Sequence, residues 1–128
     1  DLIATAERLT DRGETLVIVL TERAGIGMLS RPSAEMNSML VQYSIDRDDY
    51  RQRFNQIVTE VAAQREYIRT IDGDSLFCGD APGVGLGPLC DDTVDGNVMR
   101  PDGNHVDNDL FGAQVAEQLL DKMRAVVS

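Results

Sequence analysis

The chain has 128 residues, 42% of them hydrophobic and 27% charged, a composition typical of one globular domain rather than a disordered or fibrous segment. Its 22 acidic residues against 12 basic ones give a formal net charge of −10, which argues against nucleic acid or an anionic membrane surface as a partner, because clustered Lys and Arg bind both. No apolar run approaches the roughly 18 residues of a membrane span, so we expect membrane attachment only through an upstream segment.

The first half of the chain predicts a helix, a strand and a second helix. Apolar residues three and four apart indicate an amphipathic helix over residues 2–12 that ends at Gly13. The run ETLVIVLTE (14–22) is apolar without interruption at its centre, which is typical of a central parallel strand covered on both faces. Residues 23–46 predict a long loop with a short helix near residues 33–40. Residues 48–65 predict a helix with one apolar face, formed by Tyr50, Phe54, Ile57, Val58, Val61 and Ala62.

The second half predicts one more strand, a long loop and a closing helix. REYIRTID indicates a strand at about residues 66–72, and the Gly-, Pro- and Asp-rich stretch 73–107 predicts mostly loop. Apolar residues from Leu110 to Met123 mark the closing helix, with Asp107 or Asn108 as its N-cap. The order is typical of a doubly wound α/β fold, but two strands cannot cover such helices. We therefore expect this chain to be the C-terminal half of a larger α/β domain whose first strands are missing or belong to another chain.

The two cysteines, Cys78 and Cys90, bracket a segment too rich in Gly and Pro to be helix or strand. A disulfide closing such a loop would restrain it by about 3 kcal/mol in the chain-entropy model. The alternative is a pair of free thiols in a cytosolic protein. We expect the disulfide, and with it an oxidising compartment.

The densest polar cluster is CDDTVDGNVMRPDGNHVDNDLFG (90–112), which holds the single histidine. Asp102 and His105 stand three positions apart just before the closing helix. In a tight turn, that spacing lets a carboxylate reach Nδ1 of the imidazole while Nε2 takes a proton from a nucleophile. The alternative interpretation is a surface histidine beside acidic residues.

The passage from about Glu66 to Val127 resembles the end of SGNH/GDSL hydrolases, and most closely the extracytoplasmic SGNH domain of acyltransferase family 3 proteins. In that domain, a strand ending in Asp leads to an L-C…C loop and then to a D-x-x-H-L-S…G block. The matching residues here are Asp72, Leu76-Phe77-Cys78, Cys90, Asp102-Gly103-Asn104-His105 and Gly112. One departure is that H-L-S is replaced by His105-Val106-Asp107, which leaves subfamily and substrate open.

The resemblance implies a three-layer αβα fold with a parallel sheet, to which this chain supplies the C-terminal half. It implies that His105 is the general base, that Asp102 orients it, and that the nucleophilic serine and the oxyanion-hole residues lie before residue 1. The implied activity is ester hydrolysis or O-acyl transfer on acyl esters of cell-envelope glycans or glycolipids, outside the cytoplasm and without a cofactor. The competing hypothesis is a non-catalytic, calcium-stabilised extracytoplasmic binding module.

Three further strings are weighed against these expectations. Gly73-Asp74-Ser75-Leu76 spells GDSL, but no nucleophile-bearing helix is predicted after it, so we interpret Ser75 as a loop residue and the string as coincidental. The stretch from Asp91 to Asp102 partly matches a calcium loop, a role in which Asp102 could not also serve His105. The string Gly83–Gly87 resembles a dinucleotide loop only in its letters, since no helix start follows it.

Overall fold

The computed structural model describes residues 1–30, 39, 42–43, 46–78 and 88–128. Within these ranges the helices are α1 (Leu2–Leu9), α2 (Asp48–Ala63), α3 (Asp74–Phe77) and α4 (Asn108–Val127), and a 3₁₀ helix spans Ile26–Ser30. The strands are β1 (Leu16–Val19), β2 (Ala24–Gly25), β3 (Ile68–Ile71), β4 (Leu89–Cys90), β5 (Thr93–Val94) and β6 (Asn97–Val98).

The strands form small sheets, two of which are parallel pairs. β1 pairs with β3 from Leu16 opposite Ile68 to Val19 opposite Ile71, and β2 pairs with β4. Parallel neighbours need a crossover, which α2 provides between β1 and β3. β5 and β6 form an antiparallel hairpin, whose turn residues Asp95 and Gly96 both have positive φ. The mixture of helices and parallel strand pairs confirms the α/β class at this coarse level.

The predicted order of helix, strand, helix, strand and helix is present, but the first helix and both strands are shorter than predicted. α1 ends at Leu9 with Thr10 as its C-cap, so Gly13 (φ +87°) lies in the turn after the helix rather than at its cap. The stretch 73–107, predicted as mostly loop, is mostly turns and irregular backbone within its described residues, and it also contains α3 and the two-residue strands β4 to β6. Of the short helix predicted near residues 33–40, only Met39 lies within the described residues.

The core lies around β3, against which α2 and α4 both pack. Val58 of α2, Phe111 of α4, and Ile68 and Ile71 of β3 are all buried. The predicted apolar face of α2 is only partly buried, because the helix packs through Val58 while Tyr50, Phe54 and Ile57 are half exposed or more. On α4, Leu120, Met123 and Val127 form a second exposed apolar stripe at spacings of three and four.

The predicted disulfide is confirmed, since Cys78 and Cys90 are bonded and both are buried. It links the end of α3 to β4 across the segment that separates them. A disulfide is compatible with an extracellular location. Within the described ranges, no helix is both long enough and apolar enough to cross a bilayer.

Candidate functional site

Asp102 and His105 form a hydrogen-bonded pair in the loop before α4. Nδ1 of His105 lies 2.6 Å from Oδ2 of Asp102. The other carboxylate oxygen, Oδ1, accepts the backbone N–H of Asn104 at 2.9 Å and of His105 at 2.8 Å. The side chain of His105 is 86% exposed, and its Nε2 has no hydrogen-bond partner among the described residues. The pair therefore presents a free imidazole nitrogen to solvent.

These contacts set the electrostatics of the pair. The backbone N–H of His105, its imidazole and the backbone N–H of Asn104 hold the pKa of the Asp102 carboxyl well below its ordinary value. The carboxylate is thus ionised at neutral pH, and it favours the tautomer in which Nδ1 carries the proton and Nε2 is the basic atom. That arrangement is the one a general base requires.

Glycines allow the loop to lie against the 3₁₀ segment that follows β2. Gly103 adopts φ +87°, a left-handed conformation that favours glycine, and a Cβ there would lie 2.7 Å from Cβ of Met28. Its carbonyl accepts the backbone N–H of Gly25 at 2.8 Å. A Cβ on Gly27 would lie only 2.1 Å from the carbonyl oxygen of Arg100. The backbone next to His105 therefore packs so closely against the 3₁₀ segment that neither Gly27 nor Gly103 has room for a side chain.

The loop lies beyond the carboxyl ends of the parallel strands. The segments that leave β1 and β3 approach each other, since a Cβ on Gly73 would lie 2.2 Å from the carbonyl oxygen of Leu20. Asp74 joins them further, because its carboxylate accepts the backbone N–H and Nε of Arg23, both at 2.7 Å. Gly25 follows on the same segment and holds Gly103. Open α/β sheets place their ligands at this edge.

A buried ion pair beneath the loop was missed by the sequence analysis. Nε of Arg100 donates to Oδ2 of Asp92 at 2.7 Å, and both side chains are fully enclosed. Arg100 is the one Lys or Arg of the stretch 90–112, which holds six aspartates. The sequence could have indicated this pair, because a buried arginine needs an acidic partner and the surrounding loop is rich in aspartate.

Ser75 lies in α3 and not in a loop, so that prediction was wrong. The stretch after Gly73 forms one helical turn, Asp74–Phe77, and the disulfide-bonded Cys78 is its C-cap. The hydroxyl of Ser75 donates to the carbonyl oxygen of Asp72 at 2.6 Å. Within the part of the chain that the structure describes, no serine is hydrogen-bonded to His105.

The calcium-like stretch is folded as a hairpin followed by the turn that carries Asp102 and His105 (residues 100–105, here called the histidine turn). Oδ1 of Asp91 accepts the backbone N–H of Thr93 at 3.0 Å, and Asp102 is engaged by His105. A cation bound there would compete with both contacts. Among the described residues, no group of three or more His, Cys, Asp or Glu side chains is placed to hold a metal ion. The string Gly83–Gly87 lies outside the described residues.

No protein-family model matches the chain, and no curated protein or solved structure matches it significantly.

Proposed function

We propose that this chain is the C-terminal portion of an SGNH-type α/β domain, in which His105 acts as general base and Asp102 orients it. The observation that carries the proposal is the 2.6 Å contact between Nδ1 of His105 and Oδ2 of Asp102. It leaves Nε2 facing solvent, at the carboxyl edge of a parallel strand pair. In Ser-His-Asp hydrolases the carboxylate likewise holds Nδ1, and Nε2 faces the serine.

The chemistry follows from the free Nε2 atom. Nε2 takes the proton of a serine hydroxyl as its oxygen attacks the ester carbonyl carbon, and Asp102 stabilises the resulting imidazolium. The imidazolium then returns the proton to the departing alcohol, which leaves an acyl-serine. Water or a sugar hydroxyl next takes the acyl group, which gives hydrolysis or transfer. In this proposal the serine and the oxyanion-hole donors come from the N-terminal half of the domain or from another chain.

The exposed apolar surface supports a missing half. β1 is apolar throughout but only half buried, and Val19 is exposed, although such a run is typical of a strand covered on both faces. Among the described residues, β1 pairs with β3 alone, so its other edge is open. Further strands beside β1 would cover that edge and the exposed apolar stripes of α2 and α4. The three-layer αβα arrangement is part of this proposal.

Substrate and location are proposed from the resemblance. The SGNH domain of acyltransferase family 3 proteins suggests acyl esters of cell-envelope glycans or glycolipids as substrates, in the periplasm or cell envelope. The Cys78–Cys90 disulfide fits an oxidising compartment of this kind. An upstream segment would supply any membrane tether.

The proposal is tested by labelling the full-length protein with a fluorophosphonate, which forms a phosphorus–oxygen bond to an activated serine and releases fluoride. We expect the label on a serine outside these 128 residues, and we expect at least a 100-fold slower reaction in His105→Ala because general-base catalysis typically contributes 10²–10⁴-fold. The matched control is Gln114→Ala, an exposed residue of α4 away from the histidine turn.

The other outcomes are equally informative. Label on Ser75 would overturn the assignment of the nucleophile and would make the GDSL string functional. A labelling rate that is equal in His105→Ala and in the native protein would overturn the general-base role. Absence of labelling together with a thermal stability that falls on chelation would support the calcium-stabilised binding module instead.

A further inference from the structure

The side chain of Arg100 connects three separate segments beneath the histidine turn. Besides the bond from Nε to Asp92, its guanidinium donates through Nη1 to the carbonyl oxygen of Arg23 at 2.7 Å and through Nη2 to Sγ of Cys90 at 3.2 Å. The ring of Phe77 lies 4.5 Å from its Cζ. A planar guanidinium can satisfy these directions at once, whereas an ammonium group cannot. The position of Arg100 is therefore set by β4, by the segment before β2 and by α3.

The backbone that carries this side chain is the start of the histidine turn. The carbonyl of Arg100 accepts the N–H of Gly103 at 2.8 Å, so Asp102 lies inside a turn that Arg100 opens. The N–H of Met99 donates to the carbonyl of Asp92 at 3.0 Å, and the carbonyl of Met99 accepts the N–H of Asp107 at 2.8 Å. Asp92 therefore binds the side chain of Arg100 through its carboxylate, and it binds the N–H of Met99 through its backbone carbonyl.

We infer that Arg100 and Asp92 are positioning residues for the Asp102–His105 pair, an inference that rests on the proposed function of that pair. The pair is largely exposed, and an exposed side-chain contact cannot by itself fix two side chains in one geometry. The backbone of the turn supplies order of this kind, because the N–H groups of Asn104 and His105 both donate to Oδ1 of Asp102. Arg100 and Asp92 hold this backbone from below, out of reach of water and of substrate.

The test follows the ¹⁵N-labelled imidazole of His105, the one histidine of these 128 residues, whose NMR signals are identified by their loss in His105→Gln. The tautomer of the neutral ring is measured from two-bond ¹H–¹⁵N correlations in the full-length protein. We expect the native protein to hold the Nδ1–H form. In Asp92→Asn and in Arg100→Lys, we expect at least a twofold rise in the population of the Nε2–H form, because the turn no longer fixes the carboxylate against Nδ1.

The controls separate positioning from general destabilisation. Ile68→Val removes one methyl group from the core at β3, and it is expected to leave the tautomer unchanged. Arg100→Gln, which removes the charge and most of the fork, is expected to shift the tautomer further than Arg100→Lys does. A twofold or larger shift in Ile68→Val would overturn the positioning role, because loss of stability alone would then move the ring.

Failure of this inference is distinguishable from failure of the proposed function. If the native ring holds the Nδ1–H form and keeps it in Asp92→Asn and Arg100→Lys, the positioning role is overturned and the pair stands. If the native ring is mainly in the Nε2–H form, the Asp102–His105 pair itself is not formed in solution, and both proposals fail.

Discussion

Two aspartates of this chain, Asp92 and Asp102, each contact one basic side chain at nearly equal distances but in opposite environments. Arg100 meets Asp92 at 2.7 Å and His105 meets Asp102 at 2.6 Å. The side chains of the first pair are 1% and 0% exposed, and those of the second are 86% and 39% exposed. Distance alone therefore does not say what a pair does. Removing one partner of a buried pair leaves an uncompensated charge, whereas an exposed pair contributes little stability and remains accessible to other molecules.

The largest effect is expected from breaking the buried pair. Arg100→Met leaves the buried carboxylate of Asp92 without its cation. Oδ1 of Asp92 already has no hydrogen-bond partner among the described residues. We expect the free energy of unfolding to fall by about 3–5 kcal/mol, measured by urea denaturation. The matched variant is Arg124→Met, which breaks the exposed contact with Asp121 at 3.1 Å and is expected to cost less than about 1 kcal/mol. Equal losses of unfolding free energy in Arg100→Met and Arg124→Met would mean that burial does not make the Arg100–Asp92 pair more important for stability than an exposed pair.

A second, smaller effect separates the histidine turn from an ordinary glycine turn. Gly103 and Gly13 share the same φ of +87°, but a Cβ on Gly13 has nothing within 4 Å, whereas one on Gly103 meets Met28. Gly13→Ala is expected to cost about 1–2 kcal/mol from its left-handed backbone alone. Gly103→Ala is expected to cost about 1–3 kcal/mol more, because the added methyl group overpacks the contact. The comparison is made by thermal and urea unfolding, and equal costs would mean that the turn is not clamped.

The sequence predicted what depends on local pattern. The apolar run at Leu16–Val19, the amphipathic α4 and its Asp107 cap were all recognisable, because periodicity and capping are properties of neighbouring residues. The contact between Asp102 and His105 was predictable for the same reason, since three positions in a turn suffice for it. The Cys78–Cys90 bond was inferred from the loop that it closes.

What the sequence could not predict depends on distant contacts. Arg100 reaches the carbonyl of Arg23, which is 77 positions away, and no local pattern carries that information. The short strands β4 to β6 and the single turn α3 are too brief for periodicity to detect. The exposure of Phe54 was missed because an apolar stripe shows which residues favour burial, but not how many partners are present to bury them.

The smallest effect is the pH dependence of the exposed pair. The pKa of Asp102 is held below its ordinary value of 3.8, so the stability that the charged carboxylate contributes is present above about pH 4 and is lost as the pH falls through the folded-state value. Asp102→Asn keeps an oxygen for the backbone N–H groups of Asn104 and His105 but does not titrate. We expect the native protein to be more stable than this variant at pH 7 by less than about 1 kcal/mol, because solvent screens the pair, and the difference to shrink below pH 4.

His105→Gln provides the background that assigns this difference to the imidazole. In His105→Gln, the backbone contacts of Asp102 remain while the ring is absent. The loss in free energy of unfolding that Asp102→Asn causes at pH 7 is therefore expected to be smaller in this background than in the native one. Urea unfolding of the native protein, the two single variants and the double variant at pH 3 and pH 7 measures this loss in both backgrounds. A gap that is the same in both backgrounds would mean that the ring adds nothing to the carboxylate's environment. The short distance between Nδ1 and Oδ2 would then reflect chain geometry rather than an interaction that could orient a base.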